Sequence, residues 1–306
     1  MDPQVAVVVV SYNTRDLLLQ CLASVVESTQ GRDVQLIVVD NASEDGSFDA
    51  VLEAYPHAKA IRNSNNLGFG AACNQGIKSA RSQLILLLNS DAKLTARAFK
   101  ALCDCMEQNE RCGAAGCRMI NGEGAEAVNT RNFLTPLNQA LELAGIGFGF
   151  DRLRRTRRPK GNEMGTDCTV DWIDGACLML RRAALDEVGL FDERFFMYSE
   201  DEDLCLRLRG RGWLVCFCGA GTAIHHGAAS SRLNEMEMLY HFYLSQMLFL
   251  SKHRGHFSVG FYAWAMKVVL GIKRRLAGDS RRRETASCHL AALKKAGMAG
   301  HLIKEP

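Results

Sequence analysis

Clusters of oxygen- and nitrogen-bearing side chains mark where this sequence could do chemistry. Asn89-Ser90-Asp91 follows an apolar run at 84–88. Alternate residues just past a strand aim two side-chain oxygens into one cleft. A hard divalent cation such as Mg2+ or Mn2+ takes oxygen ligands and shares them with substrate phosphates. An Asx turn ending a strand has the same composition. Ser199-Glu200-Asp201-Glu202-Asp203 comes next, just after Phe195, Phe196 and Tyr198. Ser199 with Glu202 fits a capping box, and acids in a first helical turn suit the helix dipole. That explains the acids but not the aromatic residues beside them. A carboxylate walled by rings has a raised pKa and can act as general base on a hydroxyl. His225-His226 follows a strand-like stretch at 213–224; it is a candidate nitrogen ligand only jointly with Asp91.

A glycine pattern points away from one class. Gly68-x-Gly70-x-x-Cys73 lacks the third glycine of a dinucleotide fingerprint and does not follow the first strand, so NAD binding is excluded. These glycines instead let a helix start approach a neighbour or a sugar nucleotide closely.

The elements that must position these groups alternate. Residues 5–10 are a β-branched run, as in a parallel strand buried on both faces. Leu18, Cys21, Leu22 and Val25 recur with helical spacing, a second strand spans 35–39, and a helix spans 47–54. With the run at 84–88, this predicts an open parallel sheet. Ser11 and Asn13, Asp40 and Asn41, and Asn89 and Asp91 each follow a strand, where ligands bind in such sheets. The segment 121–168 looks loop-rich and basic, with Arg152, Arg154, Arg155, Arg157 and Arg158. Order returns at 170–180, and 233–251 has a helical stripe.

Composition sets outer limits. The chain has 306 residues, 47% hydrophobic and 23% charged, ordinary for a large globular core. A net charge of +3 does not suggest nucleic-acid binding; the basic residues crowd 252–283. No secretory leader is recognisable. The 12 cysteines include no CxxC pair, so spacing gives little support to a zinc site and suggests buried, reduced thiols.

Taken in order, these segments resemble glycosyltransferase family 2, and within it the bacterial rhamnosyltransferase-like branch. The resemblance rests on Val8-Val9-Val10-Ser11-Tyr12-Asn13, Val39-Asp40-Asn41-Ala42-Ser43, Asn66-Leu67-Gly68-Phe69 and Leu87-Leu88-Asn89-Ser90-Asp91. It continues through Asp174-Gly175-Ala176, Gly189-Leu190-Phe191-Asp192-Glu193, Phe196 to Leu204 and His225-His226-Gly227, covering about residues 4–253.

The resemblance implies an α/β GT-A fold, a mostly parallel central sheet flanked by helices, with a helical C-terminal extension. The implied division is a catalytic domain at 1–231, with a nucleotide-sugar half to about 118 and an acceptor half from 119, then a basic extension at 232–306. It implies an inverting hexosyltransferase using a divalent cation, Mg2+ or Mn2+. Ser11, Tyr12, Asn13, Asp40, Asn66, Gly68, Asn89 and Ser90 would hold the nucleotide sugar, with Asp40 at the base. Asp91 would ligate the metal with His225, His226 being the alternative. Asp201, paired with Glu200, would be the catalytic base, and Trp172, Asp174 and Gly175 would line the sugar and acceptor side. Asn89 departs from the wider family's acid, and a neutral amide is a weaker cation ligand. The implied donor is dTDP-rhamnose or another UDP- or GDP-sugar, and the acceptor a glycan or lipid-linked hydroxyl in cell-surface polysaccharide synthesis.

The stretch 257–275 is aromatic and apolar, then basic, and is interrupted by Lys267. It is shorter than the roughly 20 apolar residues that span a bilayer. It suits a helix lying at the inner face of the cytoplasmic membrane, or one packing on the domain or a second subunit. Two other functions compete: a sugar-nucleotide-forming nucleotidyltransferase, which would need a Gly-rich basic loop after the first strand, and a non-catalytic glycan- or nucleotide-binding scaffold.

Overall fold

A computed structural model describes residues 4–127, 129–143, 168–227 and 235–299. The arginines at 152–158 lie outside the described residues. The strands are β1 (Val5–Ser11), β2 (Val34–Asp40), β3 (Lys59–Arg62), β4 (Leu84–Asn89), β5 (Ala92–Lys93), β6 (Cys112–Ile120), β7 (Glu126–Ala127), β8 (Thr130–Arg131), β9 (Cys168–Thr169), β10 (Trp172–Ile173), β11 (Cys177–Arg181) and β12 (Leu214–His225). The helices are α1 (Arg15–Ser28), α2 (Ser47–Ala54), α3 (Phe69–Ser79), α4 (Ala96–Gln108), α5 (Pro136–Leu143), α6 (Arg182–Val188), α7 (Glu200–Gly210), α8 (Glu235–Arg254), α9 (His256–Leu276) and α10 (Ser280–Met298).

The main sheet runs β3-β2-β1-β4-β11-β6-β12-β5. Its first four strands are parallel. Residues 5–9 and 85–88 are buried whichever face they point to, because helices cover both sides. Helix α3 lies so close to β1 that a Cβ on Gly76 would come within 2.2 Å of Val8 Cγ1. Strand β11 then enters antiparallel between β4 and β6, and β12 returns parallel to β6. The expected parallel half is present, and the mixed half follows from that insertion. The stretch expected to be loop-rich also contains β7, β8 and α5.

The described residues fall into two compact units. One holds the sheet, α1–α4, α6 and the chain from Asp201 through β12. The other holds α5, residues 194–200 and α8–α10. In the second unit Tyr243, Met247, Leu250, Tyr262, Met266 and Leu270 are buried. Tyr262 Oη donates to Gln246 Oε1, and Tyr243 Oη lies 2.8 Å from His289 Nδ1.

Candidate active site

The carboxyl ends of β1 and β2 carry a closed polar network. Thr14 Oγ1 lies 3.1 Å from Ser11 Oγ and donates to Ser90 Oγ at 2.8 Å. Asn13 has φ of 54°, within the left-handed region that asparagine tolerates. Its N–H donates to Ser43 Oγ and its Oδ1 accepts from Glu44 N. Ala42 has φ of 70°, unusual for a residue with a Cβ, and strain of this kind gathers at functional sites. Asn41 Nδ2 donates to Asn66 Oδ1 at 2.7 Å, while Asn41 Oδ1 accepts from Leu67 N and Asn63 Nδ2. Asn66 Oδ1 also accepts from Gly68 N, fixing the turn into α3.

Asp40 is 1% exposed. Its Oδ2 accepts from Ser43 N and lies 4.0 Å from Arg62 Nε. Its Oδ1 is buried with no hydrogen-bond partner among the described residues, an expensive state unless a ligand supplies a donor. Tyr12 is half-buried between these loops. Sequence reasoning singled out Asn41 as a polar residue after a strand but gave no role to it, and did not select Thr14, Ser43 or Asn63 as site residues.

A second group gathers where β4 and β12 end. His225 Nε2 lies 3.1 Å from Asp91 Oδ1 and 3.4 Å from Asn89 Nδ2. The antiparallel pairing of β5 with β12 sets His225 opposite Ala92, one residue beyond Asp91. Asp91 is 2% exposed. Burial opposes charging of His225, but the hydrogen bond to Asp91 and the charges of Asp91 and Asp174 raise its pKa above the usual value. The neighbouring His226 is exposed, and only its backbone N–H reaches Asp91, at the carbonyl. Asn89 Oδ1 is buried and has no hydrogen-bond partner among the described residues.

Asp201 stands at the start of α7. Its Oδ2 accepts from Gly175 N at 2.9 Å and its Oδ1 from Glu202 N at 2.8 Å. Burial, then the charge of Asp174, pushes its pKa up to about 7 against those backbone hydrogen bonds. Asp174 is itself raised by burial, although Arg131 and His225 pull the other way. Asp174, next to the Gly175 whose N–H holds Asp201, thus raises the pKa of both Asp201 and His225. At Gly175 a Cβ would come 3.1 Å from Phe69 Cε1, so the ring packs tightly against this backbone. Trp172 Nε1 donates to Asn132 O at 3.1 Å, fixing the ring beside this loop.

Helix α7 is anchored through Arg207. Its guanidinium pairs with Asp203 Oδ2 at 2.8 Å and donates to the carbonyls of Val188, Gly189 and Leu190. Glu200 is buried in the second unit. Ser199 has φ of 62° and Tyr198 of 71°, so Ser199 lacks the extended backbone of a capping-box residue. The turn before α7 is held left-handed instead.

A parallel nucleotide-binding sheet continued by a mixed half, with acids beyond the ends of its strands, is the GT-A architecture of nucleotide-sugar transferases. A mannosyltransferase from Pyrobaculum calidifontis, solved with GDP-Man and Mn2+, aligns with a TM-score of 0.61 at 15% identity, covering 100% of this chain and 89% of that one. GalNAc-T7, solved with UDP, GalNAc and Mn2+, gives a TM-score of 0.60 at 15% identity, covering 99% of this chain and 58% of that one.

The chain belongs to glycosyl transferase family 2, whose model matches residues 6–189, more than half of the chain. It is a glycosyltransferase. An N-acetylglucosaminyl-diphospho-decaprenol L-rhamnosyltransferase of Mycobacterium tuberculosis is 28% identical over 308 residues, covering 93% of this chain and 96% of that protein.

Proposed function

We propose that this enzyme transfers rhamnose or a related hexose from a nucleoside-diphosphate donor to a hydroxyl of a lipid-linked glycan, inverting the anomeric carbon. The observation that carries the reading is the cluster of Asn89, Asp91 and His225 where β4 and β12 end, with Asp201 held by the N–H of Gly175. The M. tuberculosis relative, a rhamnosyltransferase named for a lipid-linked acceptor and similar over nearly the whole chain, supports the choice of sugar and acceptor.

The donor's base and ribose fit the β1–β2 rim. The unpartnered Asp40 Oδ1 accepts from the base, and Tyr12 lies alongside it. Ser11, Asn13, Asn66, Gly68 and Ser90 hold the loops that line the nucleotide. The residues beyond β4 and β12 suit a divalent cation. Asp91 and Asn89 Oδ1 offer buried oxygen, His225 Nε2 offers nitrogen, and Mn2+ or Mg2+ accepts such a set. Once bound, that cation would offset charge on the departing diphosphate.

This chain's residues supply the rest. Asp201 removes the acceptor proton as the hydroxyl oxygen attacks the anomeric carbon and the bond to the diphosphate oxygen breaks. One displacement inverts that carbon and leaves no covalent enzyme intermediate. Gly175 N–H and Glu202 N–H aim the Asp201 carboxylate. Asp174 raises its basicity, and Trp172 with Gly175 shapes the sugar and acceptor side. Glu200 directly precedes the base at the start of α7.

Helix α9 suits the surface on which such an acceptor resides. Among the described residues no helix is long and apolar enough to cross a membrane. Yet Phe257, Phe261, Trp264, Val268, Ile272 and Leu276 form an exposed stripe at helical spacing, with Phe257 90% exposed. Lys267 and the last-turn Lys273, Arg274 and Arg275 flank it. An amphipathic helix with basic residues beside its apolar face lies in an anionic bilayer interface.

The deciding experiment is nucleotide release from dTDP-rhamnose, UDP- and GDP-sugars, with and without a polyprenyl-diphosphate-linked acceptor and with Mn2+ or Mg2+. Acceptor-dependent release from one donor supports the reading. Formation of sugar nucleotide from sugar phosphate, or binding without release, overturns it.

A further inference from the structure

Well inside the fold, α4, β6 and β12 meet over sulfur. The Sγ atoms of Cys105, Cys112 and Cys216 all lie within 4.8 Å of one another. Cys105 and Cys112 are 3.9 Å apart. Cys218 is two residues beyond Cys216 on β12, so its side chain projects from the same face. Cys112, Cys216 and Cys218 are buried, while Cys105 is half-buried at the edge, giving an ion a way in. Sugar transfer at the sheet's rim makes no use of these thiols.

We propose that Cys105, Cys112, Cys216 and Cys218 form a structural zinc site. Tetrahedral zinc thiolates have Zn–S bonds of about 2.3 Å, which puts neighbouring sulfurs about 3.8 Å apart. The Cys105–Cys112 separation already matches that edge, Cys216 lies within 4.8 Å of both, and Cys218 on the same face of β12 would turn in as the fourth ligand. A disulfide would join two of these sulfurs and leave the remaining thiols without a role. Elsewhere Cys117 and Cys177 also approach, at 4.0 Å, but that pair lacks the further sulfurs needed to complete a coordination shell among the described residues.

The backbone around the cluster is already fixed. Arg181 donates to the carbonyls of Cys112, Met106 and Asn109, clamping the turn from α4 into β6 and placing positive charge beside the thiolates. All four ligands come from the protein, so the site is closed, and its effect is to tie α4 to the two strands. Zinc prefers these soft sulfurs, whereas Asn89 and Asp91 offer hard oxygen, so the two sites select different ions.

The test is metal analysis of the full chain purified without chelator. We expect about one zinc per chain, and thiolate-to-metal charge-transfer absorption after exchange with Co2+. Cys112→Ala and the milder Cys105→Ser should each lose the zinc and the absorption, while Cys73→Ala and Asp91→Ala retain both. The inference fails if the wild type binds no zinc and gives no cobalt band. It fails equally if mass spectrometry finds a Cys105–Cys112 disulfide, or if all the cluster variants keep their zinc.

Discussion

Strand β12 begins in sulfur and ends in nitrogen. Near its start Cys216 faces Cys105 and Cys112 between helix and sheet; at its end His225 faces Asp91 beyond the sheet. An irregularity between Cys218 and Thr222 separates the two stretches. In the zinc site proposed above, the first cluster draws its whole coordination shell from the protein. The second leaves Asn89 Oδ1 unsatisfied at a crevice and needs an outside partner. A closed shell stabilises a fold; an open one leaves a position for substrate. This contrast separates structural from chemical donors on a single strand.

The strongest way to break the contrast is at the base. Asp201→Asn should lower transfer by about 10²–10⁴-fold while donor affinity, measured by calorimetry, changes little. Wild-type turnover in that variant would remove Asp201 from the mechanism. Next, Asp91→Ala should cost several kcal/mol of transition-state stabilisation, roughly a hundredfold or more in kcat/KM, without loss of zinc. A cluster variant such as Cys105→Ser should do the reverse, lowering Tm while kcat stays within a few-fold.

The pH dependence sharpens the same comparison. With the pKa of Asp201 pushed up to about 7, kcat/KM should fall about tenfold per unit as pH drops below that value. The sign for stability is opposite. Because folding raises the pKa, the contribution from this acid is full below the unfolded value of 3.8 and is lost as pH rises through about 7. Thermal melts of the wild type from pH 4 to 8 should show that slope, and Asp201→Asn should flatten it.

The smallest effect lies in the second unit. Lys273→Glu should weaken binding to anionic vesicles by about 1 kcal/mol, roughly fivefold, and added salt should reduce the difference. Concentration-dependent dimers without vesicle binding would assign the α9 stripe to a second subunit.

Much of the site was legible in order along the chain. The β-branched runs at 5–10 and 35–39 and the leucines at 84–88 had to be strands covered on both faces, and the polar residues after them had to lie at one rim of the sheet. Other parts needed the fold. Thr14, Ser43 and Asn63 carry ordinary turn composition, and only the cross-loop hydrogen bonds show that they brace the rim loops. Ser199 fits a capping box by spacing, yet its left-handed backbone rules out that geometry.

Local periodicity thus determined the parallel half of the sheet, the helices that cover it and the placing of polar residues at its rim. Tertiary structure decided that β11 enters antiparallel, that His225 and not His226 faces Asp91, and that cysteines from three elements share one pocket. The physical reason is range. Alternation and helical spacing are imposed by neighbours along the chain, whereas strand order and side-chain convergence are set by contacts between residues up to 136 positions apart.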